Sequence, residues 1–405
     1  MANILAYIAF KDKDRGALPH TPQTLKSLIK LLSLKNCGKV KVLSTFSKVA
    51  GVGKAHGLNL LTLIFCLLIL SVLSACVGGY GSGKDDAYER FRENFFGLFD
   101  TVSFFVAYAQ SPEEFGFLSQ EIVGAELYRL HQLFDIYNEY QGINNLYTVN
   151  KNAGIAPVEV DIDIINMLQL SVEAYYISGG LVNIAIGPLT EIWREARSSG
   201  IRPSMEALRL AGGYTDIGGL IIDLEANTVF LKHEAMSLDV GTIAKGFAVE
   251  YAAQAAIAAG FKSFLLSVGG DVRVGASPRG RPPIFRQPAP GDGYWNIGVS
   301  NPDGGDLLDV LQAVNTSVFS SGDDMRYFVI DGQRFHHIID PRTLMPAANH
   351  RSATVLHPDG SMADILSIAA FILEIDEAKE LLAGFGAEAI WMLQDGSIAT
   401  TDNWR

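Results

Sequence analysis

The sequence predicts a mixed α+β fold, with a largely antiparallel sheet core flanked by helices. Three observations predict it. Runs of β-branched and aromatic residues come in pairs joined by short polar turns; helical segments interrupt them irregularly; and there is neither an internal repeat nor regular strand–helix–strand alternation. Hydrophobic residues make up 48% of the 405, enough to bury a sizeable core, and the length alone allows two or three domain-sized units.

Taken in order, residues 85–99 predict a short amphipathic helix and 101–108 (TVSFFVAY) a strand. Ser111-Pro-Glu-Glu opens a helix running to about Tyr137: serine caps, proline suits the first turn, and the acids face the positive end of the dipole. The Asn- and Gly-rich stretch 142–157 predicts a polar loop. Helices follow near 160–178, 188–199 and 204–211, then a hairpin of strands 218–224 and 228–232. A helix at 242–260 leads to a strand at 262–268 and a Gly269-Gly270-Asp271 turn. The Gly-, Pro- and Arg-rich segment 276–293 reads as a surface loop. Strands recur at 294–299, 313–319, 326–331, 334–339 and 352–357, helices at 361–373 and 376–385, and the chain closes on a hairpin over 389–401.

Charge is divided unevenly. Residues 1–76 carry ten Lys/Arg and two acids, whereas residues 77–405 carry 22 against 42, a balance of −20. So acidic a domain is a poor nucleic-acid binder, because phosphate contacts need clustered Lys/Arg. The two parts meet in an apolar, uncharged run over 58–76 that follows the basic flank of Lys48 and Lys54 and ends Leu73-Ser74-Ala75-Cys76. This is the build of a secretory signal with its cleavage site, and the tetrapeptide matches the bacterial lipobox, in which the cysteine sulfur receives a diacylglycerol. The plainer reading is an uncleaved membrane helix. Lipidation at Cys76 is expected, with 77–86 a flexible tether, 87–405 the working domain on the extracytoplasmic face of a bacterial cell membrane, and 1–57 an upstream extension outside the fold. Cys37 and Cys66 precede the cleavage point, so no thiol remains for a disulfide or a nucleophile.

Four polar clusters fall at turns and helix starts, where groups converge on ligands. In D-V-G-T-I-A-K-G-F (239–247), a strand is expected to end on Asp239, with Asp239 and Thr242 capping a helix one turn before Lys245. That is an anion site or, more plainly, a capped helix with a surface lysine. The Gly269-Gly270-Asp271 turn permits close approach of a ligand, or is simply a turn. Ser320-Ser-Gly-Asp-Asp324, followed by His336-His337-Ile-Ile-Asp340-Pro-Arg342-Thr, brings together imidazole, carboxylate and guanidinium. Adjacent histidines on a strand face opposite sides, which argues against zinc. Asp364, at the start of an apolar helix, is either a dipole-compensating acid or a hard oxygen ligand for Mg²⁺.

Together these clusters resemble the ApbE-like FAD:protein FMN transferases, many of which are secreted lipoproteins. The ordered matches run from about 98 to 395: D-x-G-x-[IV]-A-K-G-[YF] at 239–247, G-G-D at 269–271, S-G-D at 321–323, and H-I-I-D-P-R-T-x-x-P at 337–346 with Leu344 in place of glycine. Upstream, L-V-N-I-A-I-G-P-L at 181–189 with Trp193 is similar to the family's F-D-P-T-V-G-P-L…W. The resemblance implies an ApbE-like, T-fold-like architecture of two subdomains. It implies an enzyme that uses FAD and Mg²⁺ to attach FMN to a Thr or Ser hydroxyl of an acceptor redox protein, releasing AMP. On that likeness Phe99, Thr101, Tyr137, Val182, Asn183, Asp239, Lys245, His337 and Ile338 contact FAD, Thr242, Asp364 and Ser367 surround the metal, and His337 and Asp364 serve catalysis. Three positions depart from the family pattern: Asn183 for Asp, Asp324-Met325 for Tyr-Glu, and Ile368 for the metal-ligating threonine. A hydrocarbon cannot ligate Mg²⁺. Two other readings stay open on sequence: an FAD pyrophosphatase giving FMN and AMP, and a non-catalytic, lipid-anchored FAD-binding protein.

Overall fold

The first strand shows how long-range pairing overrides a local pattern. The computed structural model describes residues 88–276 and 293–404, and β1 (Glu89–Leu98) occupies the segment where a helix is expected. Its exposed and half-buried residues alternate with the period of a strand, and every residue from Glu89 to Phe96 pairs in register with β2 (Thr101–Ala109). Gly97 bulges, and Phe99 and Asp100 turn the corner at φ +52° and +53°. Sheet hydrogen bonds outweigh the weak helical preference of a short segment.

Ser111 caps α1 (Pro112–Gly116) by accepting from Glu114 N–H; a π-helical stretch (Phe117–Gly124) continues into α2 (Ala125–Phe134). The predicted polar loop contains α3 (Leu146–Lys151), because the Asn145 side chain caps it by accepting from Thr148 N–H. Then come β3 (Val158–Glu159), α4 (Ile162–Ile177), α5 (Gly187–Ser199), α6 (Met205–Gly212), β4 (Leu220–Asp223) and β5 (Thr228–Leu231). No strand leads directly into α7 (Ala244–Ala258); residues 236–243 are irregular, ending in a turn over 241–243, so the strand expected to end on Asp239 is absent. The chain continues through β6 (Phe264–Val268), β7 (Asp271–Val274), β8 (Trp295–Val299), β9 (Asp309–Ala313), β10 (Thr316–Gly322), β11 (Tyr327–Ile330) and β12 (Gln333–His336). It ends with β13 (Ile339–Asp340), β14 (Met345–Pro346), β15 (His350–His357), α8 (Gly360–Ile372), α9 (Ile375–Gly384), β16 (Glu388–Leu393) and β17 (Ile398–Thr400).

Eight strands form one antiparallel sheet in the order β1-β2-β6-β7-β10-β15-β16-β17. Alternate residues serve opposite faces: Phe105, Phe319 and Trp391 join the core beneath α2, α4, α7 and α8, while Val106, Val318 and Ile390 pack on the β8–β9 ribbon. A second layer, the three-stranded sheet β3-β5-β4, shares the first core. A third cluster joins α5 and α6 to β11–β12, with Trp193 stacked 5.3 Å from Phe335. Leu344 stands at φ +65° where the resemblance expects glycine; its carbonyl accepts from Trp193 Nε1 at 3.1 Å, which helps hold an otherwise unfavourable backbone. Cys76, the apolar run, the tether, the upstream extension and nearly all of the expected surface loop lie outside the described residues.

Candidate active site

The entry to α7 is built differently from the expected capped helix. Asp239 Oδ1 accepts from Gly241 N–H at 3.0 Å and Oδ2 from Thr190 Oγ1 at 2.8 Å, so the carboxylate closes its own turn and ties it to α5. The cap position falls to Ile243, with no side-chain hydrogen bond. Thr242 does not cap either: its Oγ1 is shut from solvent and has no hydrogen-bond partner. An unpaired buried hydroxyl costs about 1–3 kcal/mol, which marks this oxygen as a donor waiting for a ligand.

One turn on, half-buried Lys245 pairs with Asp271, whose other oxygen accepts from Ser320 N–H at 3.1 Å. The Gly269-Gly270 turn delivers that acid. Gly269 stands at φ +64°, and a Cβ there would meet Thr101 Oγ1 at 2.8 Å. Asp364, in the first turns of α8, is buried and accepts from Gly246 N–H at 2.8 Å. Burial pushes its pKa up to about 7; Lys245 opposes the rise, Asp271 adds to it, and the Gly246 N–H opposes it. Burial works against the charge of Lys245, yet Asp271 and Asp364 hold its pKa above the ordinary lysine value. Here a cation lies between two acids, three residues along the chain from an unpaired hydroxyl.

These oxygens suit a hard cation. A carboxylate and a hydroxyl make a sparse set, of the kind Mg²⁺ completes with water and substrate phosphates. Ser367 is committed elsewhere: its Oγ donates to Asp364 O and bonds Ser321 Oγ, each at 2.9 Å. Ile368 is buried hydrocarbon. Among the described residues no group of three or more His, Cys, Asp or Glu is arranged to hold a metal.

The two histidines diverge at the end of β12. His336 points inward, with Nε2 2.6 Å from Ala347 O and Nδ1 accepting from Ile338 N–H. His337 is exposed on the other side. Desolvation by surrounding protein lowers its pKa first, and repulsion from Arg326, from His336 whenever that ring takes a proton, and from Lys245 lowers it further. The imidazole is therefore neutral at pH 7 and free to accept a proton.

Beside Asp239 opens a cleft of about 360 Å³, lined by residues including Tyr137, Asn150, Lys151, Thr190 and Arg194. Asn150 locks its floor, donating to Leu238 O at 2.9 Å and accepting from Leu238 N–H at 2.7 Å. Arg194 lies 4.9 Å over the Tyr137 ring. Asp135, which the sequence reading missed, ends α2 and gathers Tyr137 N–H, Asn138 N–H and Tyr140 Oη within 3.0 Å. No motif marks it; only an acid directly after the helix hints at the role. Phe99 donates its N–H to His131 Nδ1 at 3.2 Å. Val182 and Ile338 are buried in the main core, while Asn183 donates to Thr215 O and accepts from Ala185 N–H, both at 2.9 Å. Thus Tyr137 and Asp239 share the cleft, Lys245 and Asp364 share one charge cluster, and Val182 and Ser367 are internal.

The profile of the ApbE family matches residues 99–391 of this chain. The chain belongs to the ApbE family. The match begins at the strained Phe99 turn and takes in every candidate site residue except Cys76. The chain is 32% identical to the FAD:protein FMN transferase of Treponema pallidum over 260 residues, covering 62% of this chain and 71% of that one. To a Klebsiella pneumoniae protein of the same name it is 29% identical over 256 residues, 62% and 76% of the two chains. The crystal structure of the ApbE protein of Thermotoga maritima superposes with a TM-score of 0.67 at 26% identity, covering 78% of this chain and 97% of that one. The flavin transferase ApbE of Vibrio cholerae, at 20% identity and a TM-score of 0.66, shares the fold over 78% and 98% of the chains.

Proposed function

We propose that this ApbE-family chain is a transferase that moves FMN from FAD to a Thr or Ser hydroxyl of an acceptor protein and releases AMP. One observation carries the reading furthest: Lys245, Asp271 and Asp364 form one charge cluster, the Thr242 hydroxyl three residues before Lys245 is buried and orphaned, and His337 is held neutral and open to solvent. Attack at a pyrophosphate phosphorus needs charge neutralisation and positioning, with little covalent work by the protein.

The acceptor oxygen forms a bond to the FMN-side phosphorus. The bond from that phosphorus to the bridging oxygen breaks, and the bridging oxygen leaves with the electron pair on AMP. His337 takes the hydroxyl proton on its free ring nitrogen. Thr242 and Asp364 would hold Mg²⁺, which when bound neutralises charge on the phosphoryl oxygens. The cleft at Tyr137 and Asp239 supplies a wall for part of FAD. A lipid on Cys76 would keep this face outside the cytoplasm, where flavin-bearing redox proteins present their hydroxyls; no helix among the described residues is long and apolar enough to cross a membrane.

The test incubates the full chain with FAD, Mg²⁺ and an acceptor domain bearing a flavinylation threonine. Acid-stable flavin fluorescence on the acceptor supports transfer. Free FMN with no labelled acceptor would replace it with hydrolysis, and intact bound FAD with a binding protein.

A further inference from the structure

Arg326 stands just before β11, and the register that pairs Tyr327 with His336, carried one residue further, sets Arg326 opposite His337 at the open end of the hairpin. Its guanidinium reaches across to another hairpin, Nη2 donating to the Asp100 carbonyl at 3.5 Å. That partner is neutral and the bond is long, so it is readily exchanged. The other groups around His337 are already engaged: Lys245 pairs with Asp271, and His336, which burial keeps uncharged, bonds inward to Ala347 O. In the cleft wall, Arg194 pairs with Glu191. Arg326 is exposed and forms no ion pair among the described residues. The tip it touches is unusual too: Phe99 and Asp100 both sit in the left-handed region, which costs side-chain-bearing residues about 1–2 kcal/mol each. Strain of this kind collects at ligand clamps.

We propose that Arg326 binds the diphosphate of FAD, gripping it between the Phe99–Asp100 tip and His337. This rests on the FAD reading above. A diphosphate carries two negative charges, and the planar guanidinium fork can take two phosphate oxygens at once. Lys245, balanced by Asp271, does not supply the same neutralisation. As the acceptor oxygen bonds to phosphorus and AMP departs with the electron pair, Arg326 faces the charge that develops on the phosphoryl oxygens.

The experiment titrates FAD, and separately riboflavin, into the full chain and its Arg326→Gln and Arg326→Lys variants, following flavin fluorescence and thermal melting. Arg326→Gln should weaken FAD binding by about 10- to 100-fold while leaving riboflavin unchanged, and Arg326→Lys should fall between. Glutamine is two bonds shorter and gives up the Asp100 contact as well, so a bracing role alone predicts equal losses for FAD and riboflavin. Wild-type FAD affinity in Arg326→Gln, or equal losses for FAD and riboflavin, overturns the proposal. Should the Gln variant melt early, Arg326→Lys decides: undiminished FAD affinity without the fork overturns the two-oxygen grip. If the unaltered chain binds no FAD, the reading of the function falls and this proposal with it; if it binds FAD and only the variants fail to differ, the role of Arg326 alone is lost.

Discussion

The backbone N–H of Gly246 donates to Asp364 Oδ2 at 2.8 Å, joining the first turn of α7 to the first turns of α8 across 118 residues of chain. The contact needs a bare Cα. A Cβ on Gly246 would lie 2.5 Å from Asp364 Cβ and 2.8 Å from Gly360 O, closer than real side chains come.

Gly246→Ala should therefore force the two helices apart, at about 1–3 kcal/mol of stability. Because the displaced group is Asp364, Mg²⁺ dependence and transfer should deteriorate together with stability. Denaturant unfolding alongside metal-dependent activity checks this; an alanine variant with unchanged melting would mean that the helices yield freely.

Asp364→Asn should separate stability from activity. The native carboxyl is raised to about 7, above its unfolded value of roughly 3.9, so between those values the folded state keeps a proton that the unfolded state has lost. Stability of the metal-free protein should fall as pH rises through that window. Asparagine removes the titration, so the variant should melt higher than wild type at pH 8 and about equally at pH 4, while transfer is lost. Melting curves in chelator at both pH values decide it, and a difference independent of pH would contradict the assignment.

Thr242→Val removes a buried hydroxyl that bonds nothing in the free protein. Thermal stability without metal should be unchanged or slightly higher, since a desolvated orphan is lost. Affinity for Mg²⁺ should fall by about tenfold, the effect of a single lost ligand contact of about 1.4 kcal/mol. Calorimetric titration of Mg²⁺ in the presence of FAD measures it, and equal affinity in the two proteins would take Thr242 out of the metal site.

His337→Ala should slow transfer by about 10²- to 10⁴-fold, the usual contribution of a positioned base, with FAD still bound. With the imidazole pKa held down by crowding and neighbouring cations, the acid limb of the rate profile should lie below the ordinary histidine value of about 6.5. A limb at or above that value would show that another group takes the proton.

Much of the fold was legible because its signals are local. Ser111, Ser204 and Asp359 cap helices within three residues of themselves, and hairpins such as β4–β5 close over four residues. The ordered motifs at 239–247, 269–271, 321–323 and 337–346 likewise pointed to the family with no knowledge of the fold. What they could not reveal was which hydrogen bond each polar group makes.

Tertiary structure decided those matters. Residues 89–98 became a strand because β2 lay beside them, and Asp239 turned to Thr190 on a different helix instead of capping its own. Ser367 was drawn into a bond with Ser321, and Thr242 was left with none. The sequence by itself determined the mixed α+β class, the family and the kinds of chemical group available. Only packing determined the partners, since burial and hydrogen bonding between residues far apart in the chain depend on the whole arrangement, and no local pattern encodes them.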